Sequence, residues 1–125
     1  MKTIVIVGAS RGIGKAMVER LAKDDSNRII ALSRNTKSME AFRSFSNVSA
    51  HAFDLSANTV TEQAKQIFET LPQIDILINN AGVLVNKPFP EITAEDFNDC
   101  YQVNVIGVMQ TVQAALPKML DNGGH

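Results

Sequence analysis

Runs of apolar residues alternate with amphipathic segments along this chain. The runs at residues 3–7, 28–32 and 74–78 predict a first, a second and a fourth strand, and a weaker run that closes at 51–53 predicts a third. Apolar residues stand at successive positions in the strongest runs, which is typical of strands covered on both faces. We therefore expect a buried sheet with a layer of helices on each side.

Helical spacing of apolar residues fills the segments between the strands. Ile13, Met17 and Leu21 form one series after the first strand, and a weaker pair, Met39 and Phe42, lies between the second and third strands. A further series precedes the fourth strand and consists of Val60, Ala64, Ile67 and Leu71. Ser56 is the expected cap of a helix over 57–70.

The last third of the chain predicts two further helices. Thr93 followed by Asp96 is a capping-box pattern that opens a short helix. A long helix is expected over 99–120, where Pro117 either kinks it or begins its end, and Asn122-Gly123-Gly124 is its stop signal.

Alternating strands and helices predict the α/β class, as a Rossmann-type doubly wound parallel sheet that makes up one domain over 1–125. The sheet is expected to be truncated after about four strands. On that layout the apolar fourth strand lacks a neighbour on one edge, and an edge of this kind favours association.

A glycine-rich turn follows the first strand and precedes the first helix. Its spacing, G-x-x-x-G-x-G, uses Gly8, Gly12 and Gly14. Glycines allow main chain to approach a phosphate, and a helix start offers unpaired N–H groups to it. A nucleotide cofactor is therefore predicted here. A P-loop is excluded because Ala16 stands where Ser or Thr must hold magnesium.

A second motif, Asn79-Asn80-Ala81-Gly82, ends the fourth predicted strand. Ligands of open α/β sheets bind at the carboxyl ends of the strands, where the strand order reverses. Taken alone, the motif is equally compatible with a structural turn and with a binding site.

With both motifs present, the chain resembles the short-chain dehydrogenase/reductase family. The matching residues are Gly8, Ser10, Arg11, Gly12, Ile13 and Gly14 in the cofactor loop, Asp54 and Leu55 beside the adenine, Asn80, Ala81 and Gly82 in the second signature, and Asn104 in the helix. Val7 departs from the threonine of many members. The resemblance implies a nicotinamide cofactor and an oxidoreductase that moves a hydride to or from a small carbonyl or alcohol substrate. A methyltransferase-like Rossmann domain would not account for the asparagine motifs.

Charge at the end of the second strand favours NADP over NAD. An acidic residue there would accept bonds from the ribose hydroxyls, but the chain has Ser33 followed by Arg34. Arg11 and Ser10 belong to the glycine loop on the same side. Two guanidiniums and two hydroxyls suit the 2′-phosphate of NADP.

The resemblance implies a catalytic serine, tyrosine and lysine that this sequence does not contain. The single tyrosine, Tyr101, is followed four residues later by Val105 rather than by lysine, and no serine follows Ser56. Asn104 is the one catalytic residue carried over from the family. We therefore expect the N-terminal part of a short-chain oxidoreductase, inactive by itself. The alternative is a non-catalytic nucleotide-binding or self-associating half-Rossmann module.

Composition restricts the kinds of binding partner and site that we expect for this chain. The net charge of −1 gives no argument for nucleic acid or an anionic membrane, and no apolar run is long enough to span one. One cysteine and two histidines make a metal site unexpected, and the lone Cys100, with no signal-peptide pattern, fits a cytoplasmic protein. In the family the helix matching 99–120 commonly packs against its copy, so a homo-oligomer is expected.

Overall fold

The sheet has four strands: β1 (Lys2–Val7), β2 (Asn27–Ser33), β3 (Val48–Ala52) and β4 (Ile76–Asn79). They lie in the order β3-β2-β1-β4, and every neighbouring pair is parallel. The structure is a computed structural model that describes residues 1–125, apart from the side chain of Asn122. The predicted α/β class and parallel sheet are confirmed.

Helices connect the strands and continue beyond the sheet. The α-helices are α1 (Gly12–Leu21), α2 (Val60–Phe68), α3 (Ala94–Tyr101) and α4 (Gly107–Met119), with 3₁₀ turns at Lys37–Ser44, Phe89–Glu91 and Leu120–Asn122 and a π-helical segment at Gln102–Ile106. The weakly predicted helix around Met39 and Phe42 is therefore a 3₁₀ segment, and both side chains are buried.

The sheet separates two cores because successive strand residues point to opposite faces. Ile4 and Ile6 pack towards α1 and the 37–44 turn, in a cluster with Val18, Met39 and Phe42. On the other face Val5 and Val7 join residues of α2, α4 and the π-helical segment; these are Val60, Ala64, Phe68, Val103 and Ala115. Both faces of the sheet are thus covered over β1 and β2, as expected, whereas β4 is only partly buried and β3 is mostly exposed.

Some predicted boundaries are wrong by a few residues. β3 ends at Ala52, so Phe53 lies just beyond the strand, although its side chain is buried. β4 begins at Ile76 rather than at Ile74. The α2 helix begins at Val60, after Thr59, and Ser56 does not cap it. The reason is position: the helix starts with Thr59 as its N-cap residue, and Ser56 lies in the preceding turn, where its hydroxyl donates to Asp54 Oδ1 at 2.6 Å.

The predicted short helix and long helix are one continuous helical stretch over 94–119. The predicted capping box is confirmed, because the Asp96 N–H donates to Thr93 Oγ1 at 3.0 Å and the Thr93 N–H donates back to Asp96 Oδ2 at 3.1 Å. Pro117 lies in the last turn of α4, and Gly123 takes a left-handed conformation (φ +64°) after the helix.

The outer edge of β4 has a partner where none was expected. The N–H of His125 donates to Asp75 O at 2.7 Å, and the N–H of Leu77 donates to His125 O at 2.7 Å. These two bonds have the pattern of a parallel pair centred on Ile76 and His125. The prediction of an edge without a neighbour is therefore wrong at this position.

Candidate cofactor cleft

A cleft of about 590 Å³ opens at the carboxyl ends of the strands. Strand order reverses there, between β1 and β4. Twelve of the fourteen residues predicted for the site line the cleft; they are Gly8, Ser10, Arg11, Gly12, Ile13, Ser33, Arg34, Asp54, Leu55, Asn80, Ala81 and Gly82. Gly14 and Asn104 are not lining residues, but each contacts one: Gly14 packs against Gly8, and Asn104 is hydrogen-bonded to Val83.

The glycine turn brings the main chain of β1, α1 and β4 close together. Gly8 has a φ of +87°, and a Cβ at Gly8 would lie 2.6 Å from the Ala81 nitrogen. A Cβ at Gly14 would overlap the Gly8 carbonyl oxygen. No side chain fits at either position, so the backbone itself forms this wall of the cleft.

The start of α1 faces the cleft with unpaired amides. The first helical hydrogen bond runs from the Lys15 N–H to Arg11 O at 3.2 Å, so the N–H groups of residues 12–14 have no acceptor within the helix. Together with the partial positive charge of a helix start, they fit an anion such as a diphosphate. Ile13, which is 73% exposed, lines the cleft beside these amides.

Asn80 ties the two predicted motifs together. Its side-chain amide donates to the Gly8 carbonyl at 3.1 Å, while its own N–H donates to Val7 O at 3.0 Å. These bonds hold the end of β4 against the glycine turn. Asn80 therefore stabilises the conformation of the glycine turn.

One end of the cleft is basic. Arg11 and Arg34 are exposed at its rim, and Ser33 lies behind them with its Oγ accepting the Asn35 N–H at 3.3 Å. Within the described part of the chain the ion pairs are Lys15–Glu19 and Lys87–Asp96, so neither arginine is neutralised by a carboxylate. An anionic group is the ligand this end fits.

A further wall of the cleft is formed by the residues that follow β3, the strand next to β2. The Phe53 and Leu55 side chains are buried, and Asp54 between them is half-buried. The side chain of Gln63 in α2 holds the Asp54 backbone: its Oε1 accepts the Asp54 N–H at 2.8 Å, and its Nε2 donates to Asp54 O at 3.1 Å. Gln102 Nε2 donates to Leu55 O at 3.2 Å.

Asn104 lies in the π-helical segment and holds the loop after β4. Its Oδ1 accepts the Val83 N–H at 2.9 Å, and its Nδ2 donates to Val83 O at 2.9 Å. Both polar atoms of the side chain are thus paired with one residue of the main chain. The catalytic role that the family resemblance implies for Asn104 stays a prediction.

Tyr101 is not a lining residue of the cleft. It stacks on Phe97 with ring centroids 6.4 Å apart and planes inclined by 8°, and the residue is 48% exposed.

At the start of α3, the hydrogen bond from Lys87 lowers the pKa of the Asp96 carboxyl, and the bond from the Thr93 N–H lowers it further. These contacts organise the entry to α3.

Sequence reasoning missed Gln63, Gln102 and Gly107. A Cβ at Gly107 would lie 3.0 Å from Leu55 Cδ2 and 3.1 Å from Leu55 O, so this glycine lets the helix approach the cleft wall. No local pattern marks these residues, because their partners are 9 to 52 positions away along the chain. Val103 and Gly107 are both buried and lie four residues apart, and this spacing is the signal that could have marked the helix face packed against the cleft wall.

Within the described residues, no group of three or more His, Cys, Asp or Glu side chains lies close enough to hold a metal ion. No helix in this part of the molecule has the length and apolar character that crossing a membrane requires.

Comparison with curated proteins identifies relatives of this chain. The model of the family described as short chain dehydrogenase matches residues 2–125. The 3-oxoacyl-[acyl-carrier-protein] reductase FabG of Aquifex aeolicus is 30% identical over 95% of this chain and 50% of its own length. The NADPH-dependent pterin aldehyde reductase of Arabidopsis thaliana is 33% identical over 95% of this chain and 51% of its own. The chain spans about half the length of these relatives.

Solved structures give the same result. An alcohol dehydrogenase from the archaeon Thermococcus sibiricus, complexed with 5-hydroxy-NADP, superposes with a TM-score of 0.87 at 32% identity, over 99% of this chain and 55% of that one. A short-chain dehydrogenase from Streptomyces avermitilis superposes with a TM-score of 0.87 at 25% identity, over 98% and 46%. With a cleft that unites both sequence motifs and a family match along almost its whole length, this chain belongs to the short-chain dehydrogenase family of oxidoreductases.

Proposed function

We propose that this chain is the NADP(H)-binding part of an oxidoreductase that moves a hydride between the nicotinamide and a small carbonyl or alcohol. The observation that carries the proposal is the glycine turn, where bare main chain faces the cleft and a Cβ at Gly8 or Gly14 would collide with neighbouring backbone. These glycines let β1, α1 and β4 pack closely, which brings bare main chain to the cleft, and bare main chain admits a diphosphate closely.

The lining residues fit a dinucleotide from end to end. The amides of residues 12–14 would hold the diphosphate, and Asp54 with Leu55 would border the adenine. Asn80, Ala81 and Gly82 would line the path towards the nicotinamide. When bound, the nicotinamide would supply or accept the hydride, while this chain's residues bind and orient it.

The basic end of the cleft supports NADP over NAD. Arg11 and Arg34 have no carboxylate partner within 4.0 Å in the described part of the chain, and the residue ending β2 is Ser33 rather than an acid. A 2′-phosphate carries about −1.5 to −2 charges and pairs well with guanidinium. The pterin aldehyde reductase of Arabidopsis, a relative, is named as NADPH-dependent, which also supports this choice.

Isothermal titration of NADPH and NADH against the chain tests cofactor choice. We expect NADPH to bind more tightly by about tenfold or more, and Arg34→Ala to remove most of that difference while leaving the affinity for NADH unchanged. Arg43→Ala is the matched control, because Arg43 is also exposed but lies outside the cleft. Equal affinities for the two cofactors in every variant would refute the NADP assignment.

We also propose that the 125-residue chain does not catalyse the reaction by itself. In the family a tyrosine exchanges the proton and a lysine four residues later lowers its pKa, whereas here Tyr101 is followed by Val105. Oxidation of NADPH above background with ketone substrates, in purified chain of confirmed mass, would contradict this proposal. The missing groups leave the cofactor site untouched, so binding and inactivity are expected together.

Self-association is a second candidate function, supported by one face of the helical stretch. Phe97, Tyr101, Val105 and Met109 recur at four-residue spacing along the helical stretch, and each has an exposed side chain. We propose that this face, within the predicted 99–120 helix and the turn before it, pairs with a second copy of the chain. Sedimentation at several concentrations tests it, and a monomer throughout would count against it.

We also propose a cytoplasmic location, because the lone Cys100 is a free thiol and free thiols persist in a reducing compartment.

A further inference from the structure

We propose that Gln63 and Gln102 are positioning residues that hold the Asp54-Leu55 corner in the conformation that selects adenine over other bases. The corner is the turn after β3 that lines the cleft. The inference rests on the proposed cofactor site, and it assigns a role to two side chains that do not line the cleft themselves.

Gln63 acts on the first residue of the corner. Its amide pairs with both the N–H and the C=O of Asp54, at 2.8 and 3.1 Å, and its Nε2 also lies 3.2 Å from Thr59 Oγ1. The Gln63 amide thus supplies one acceptor and one donor to the Asp54 main chain, as a neighbouring strand would, at the point where β3 has ended. Two of these contacts orient the peptide units on either side of Asp54, and the third orients the half-buried Gln63 amide itself.

Gln102 acts on the second residue from a different helix. Its Nε2 donates to Leu55 O at 3.2 Å, and Gln102 is the first residue of the π-helical segment. Segments of this kind appear at functional sites, where they redirect side chains. The two glutamines therefore hold successive carbonyls of the corner from two separate helical segments.

What remains unpaired at the corner matches adenine. Asp54 Oδ1 accepts the N–H and the hydroxyl of Ser56, at 3.0 and 2.6 Å, which leaves Oδ2 for a ligand. The Leu55 N–H lies between the two occupied amides and has no acceptor in the described part of the chain. An acceptor beside a donor fits the 6-amino group and N1 of adenine, whereas hypoxanthine reverses both and is rejected.

The test is base selectivity, which a merely structural role would not change. We would titrate the full chain with adenosine 2′,5′-diphosphate and with inosine 2′,5′-diphosphate, using wild type, Gln63→Met and Gln102→Met. Methionine keeps the length of the side chain and removes its hydrogen bonds. Gln66→Met in α2 and Gln113→Met in α4 are matched controls, because both glutamines are exposed.

We expect wild type and both controls to prefer the adenine ligand by about tenfold or more, and each test variant to lose most of that preference. Binding of nicotinamide mononucleotide should stay unchanged in all of them. If Gln63→Met does not fold, Gln102→Met and Gln63→Glu, which keeps the acceptor for the Asp54 N–H, carry the test.

Failure of this inference and failure of the proposed function give different results. Folded variants that keep the wild-type preference for adenine would overturn the roles of Gln63 and Gln102 and leave the cofactor site intact. Wild-type chain that binds neither NADPH nor adenosine 2′,5′-diphosphate would overturn the proposed function and this inference with it.

Discussion

Gly14 lies directly beneath Gly8, so that a single methyl group on Gly14 would overlap the Gly8 carbonyl oxygen. The same methyl group would lie 2.8 Å from the Asn80 side-chain nitrogen, which donates to that carbonyl. The first turn of α1, the end of β1 and the end of β4 thus meet at one point. Gly14 is buried and the Gly8 carbonyl is already bonded to Asn80, so we expect neither group to move away without cost.

Gly14→Ala tests this packing. Alanine is the better helix former by about 1 kcal/mol, but overpacking against main chain costs about 1–3 kcal/mol, and here we expect the clash to win. The variant should have a lower melting temperature and should bind NADPH at least about tenfold more weakly. Thermal unfolding and titration calorimetry measure the two effects.

Gly123→Ala is the matched control for that variant. Gly123 has a φ of +64° and open space around its Cα, so alanine there adds backbone strain without a collision. It lies outside the cleft. NADPH binding that falls equally in both variants would show that lost stability, not the shape of the turn, governs affinity.

The parts of the fold that could be predicted are those set by local chemistry. β1 and β2 carry long apolar runs, and the Thr93–Asp96 box is complete within four residues, so their positions follow from sequence alone. The cleft followed from two motifs, because the carboxyl ends of neighbouring parallel strands must meet at one edge.

The parts that could not be predicted depend on distant partners. Ser56 is a good helix cap in isolation, but α2 begins only at Val60, and bonds to Asp54 hold Ser56 in the turn before the helix. β3 carries mostly small and polar residues with exposed side chains, so its pattern was weak. The π-helical segment has no sequence signal of its own, and it forms where Gln102 and Asn104 reach two separate loops.

Asn104→Ala tests how the loop after β4 is held. Removing the amide leaves the N–H and the C=O of Val83 without their partners at 2.9 Å, and each bond in this exposed setting is worth about 0.5–1.5 kcal/mol. We expect faster hydrogen exchange at the Val83 amide with little change in β1. Asn98→Ala, at an exposed position of α3, is the control. Unchanged protection of Val83 would mean that the bond does not hold the loop.

The entry to α3 should make stability depend on pH. The bonds from Lys87 and from the Thr93 N–H lower the pKa of Asp96 in the folded chain below its ordinary value of 3.8. A carboxyl whose pKa is lowered by folding contributes stability above its unfolded pKa, and that contribution is lost as the pH falls through the folded value. Asp96→Asn should therefore lower the melting temperature at neutral pH and have less effect in acid.

Melting curves between neutral pH and about pH 2 measure this dependence. Asp99→Asn, at an exposed position of the same helix, should not reproduce it. Parallel curves for wild type and Asp96→Asn over the whole range would show that the capping box carries no net charge effect.

Gly107→Ala tests whether a shift of α4 also displaces Leu55 in the cleft wall. The new Cβ would lie 3.0 Å from Leu55 Cδ2, 3.1 Å from Leu55 O and 3.0 Å from Gln102 O. Two of these neighbours are main-chain oxygens that cannot rotate away, so the gain in helix propensity, at most about 1 kcal/mol, should be outweighed. We expect lower stability together with weaker binding of adenosine 2′,5′-diphosphate.

A double-mutant cycle with Leu55→Ala separates the side-chain contact from the main-chain contacts. If the Leu55 side chain causes most of the crowding, Gly107→Ala should cost less in the Leu55→Ala background, and the coupling should exceed about 0.5 kcal/mol. If the oxygens dominate, the two changes should be additive and the loss of adenine binding should persist in both backgrounds. A Gly107→Ala chain with wild-type affinity would show that the helix can shift without moving the corner, and the link between α4 and the cleft would be lost.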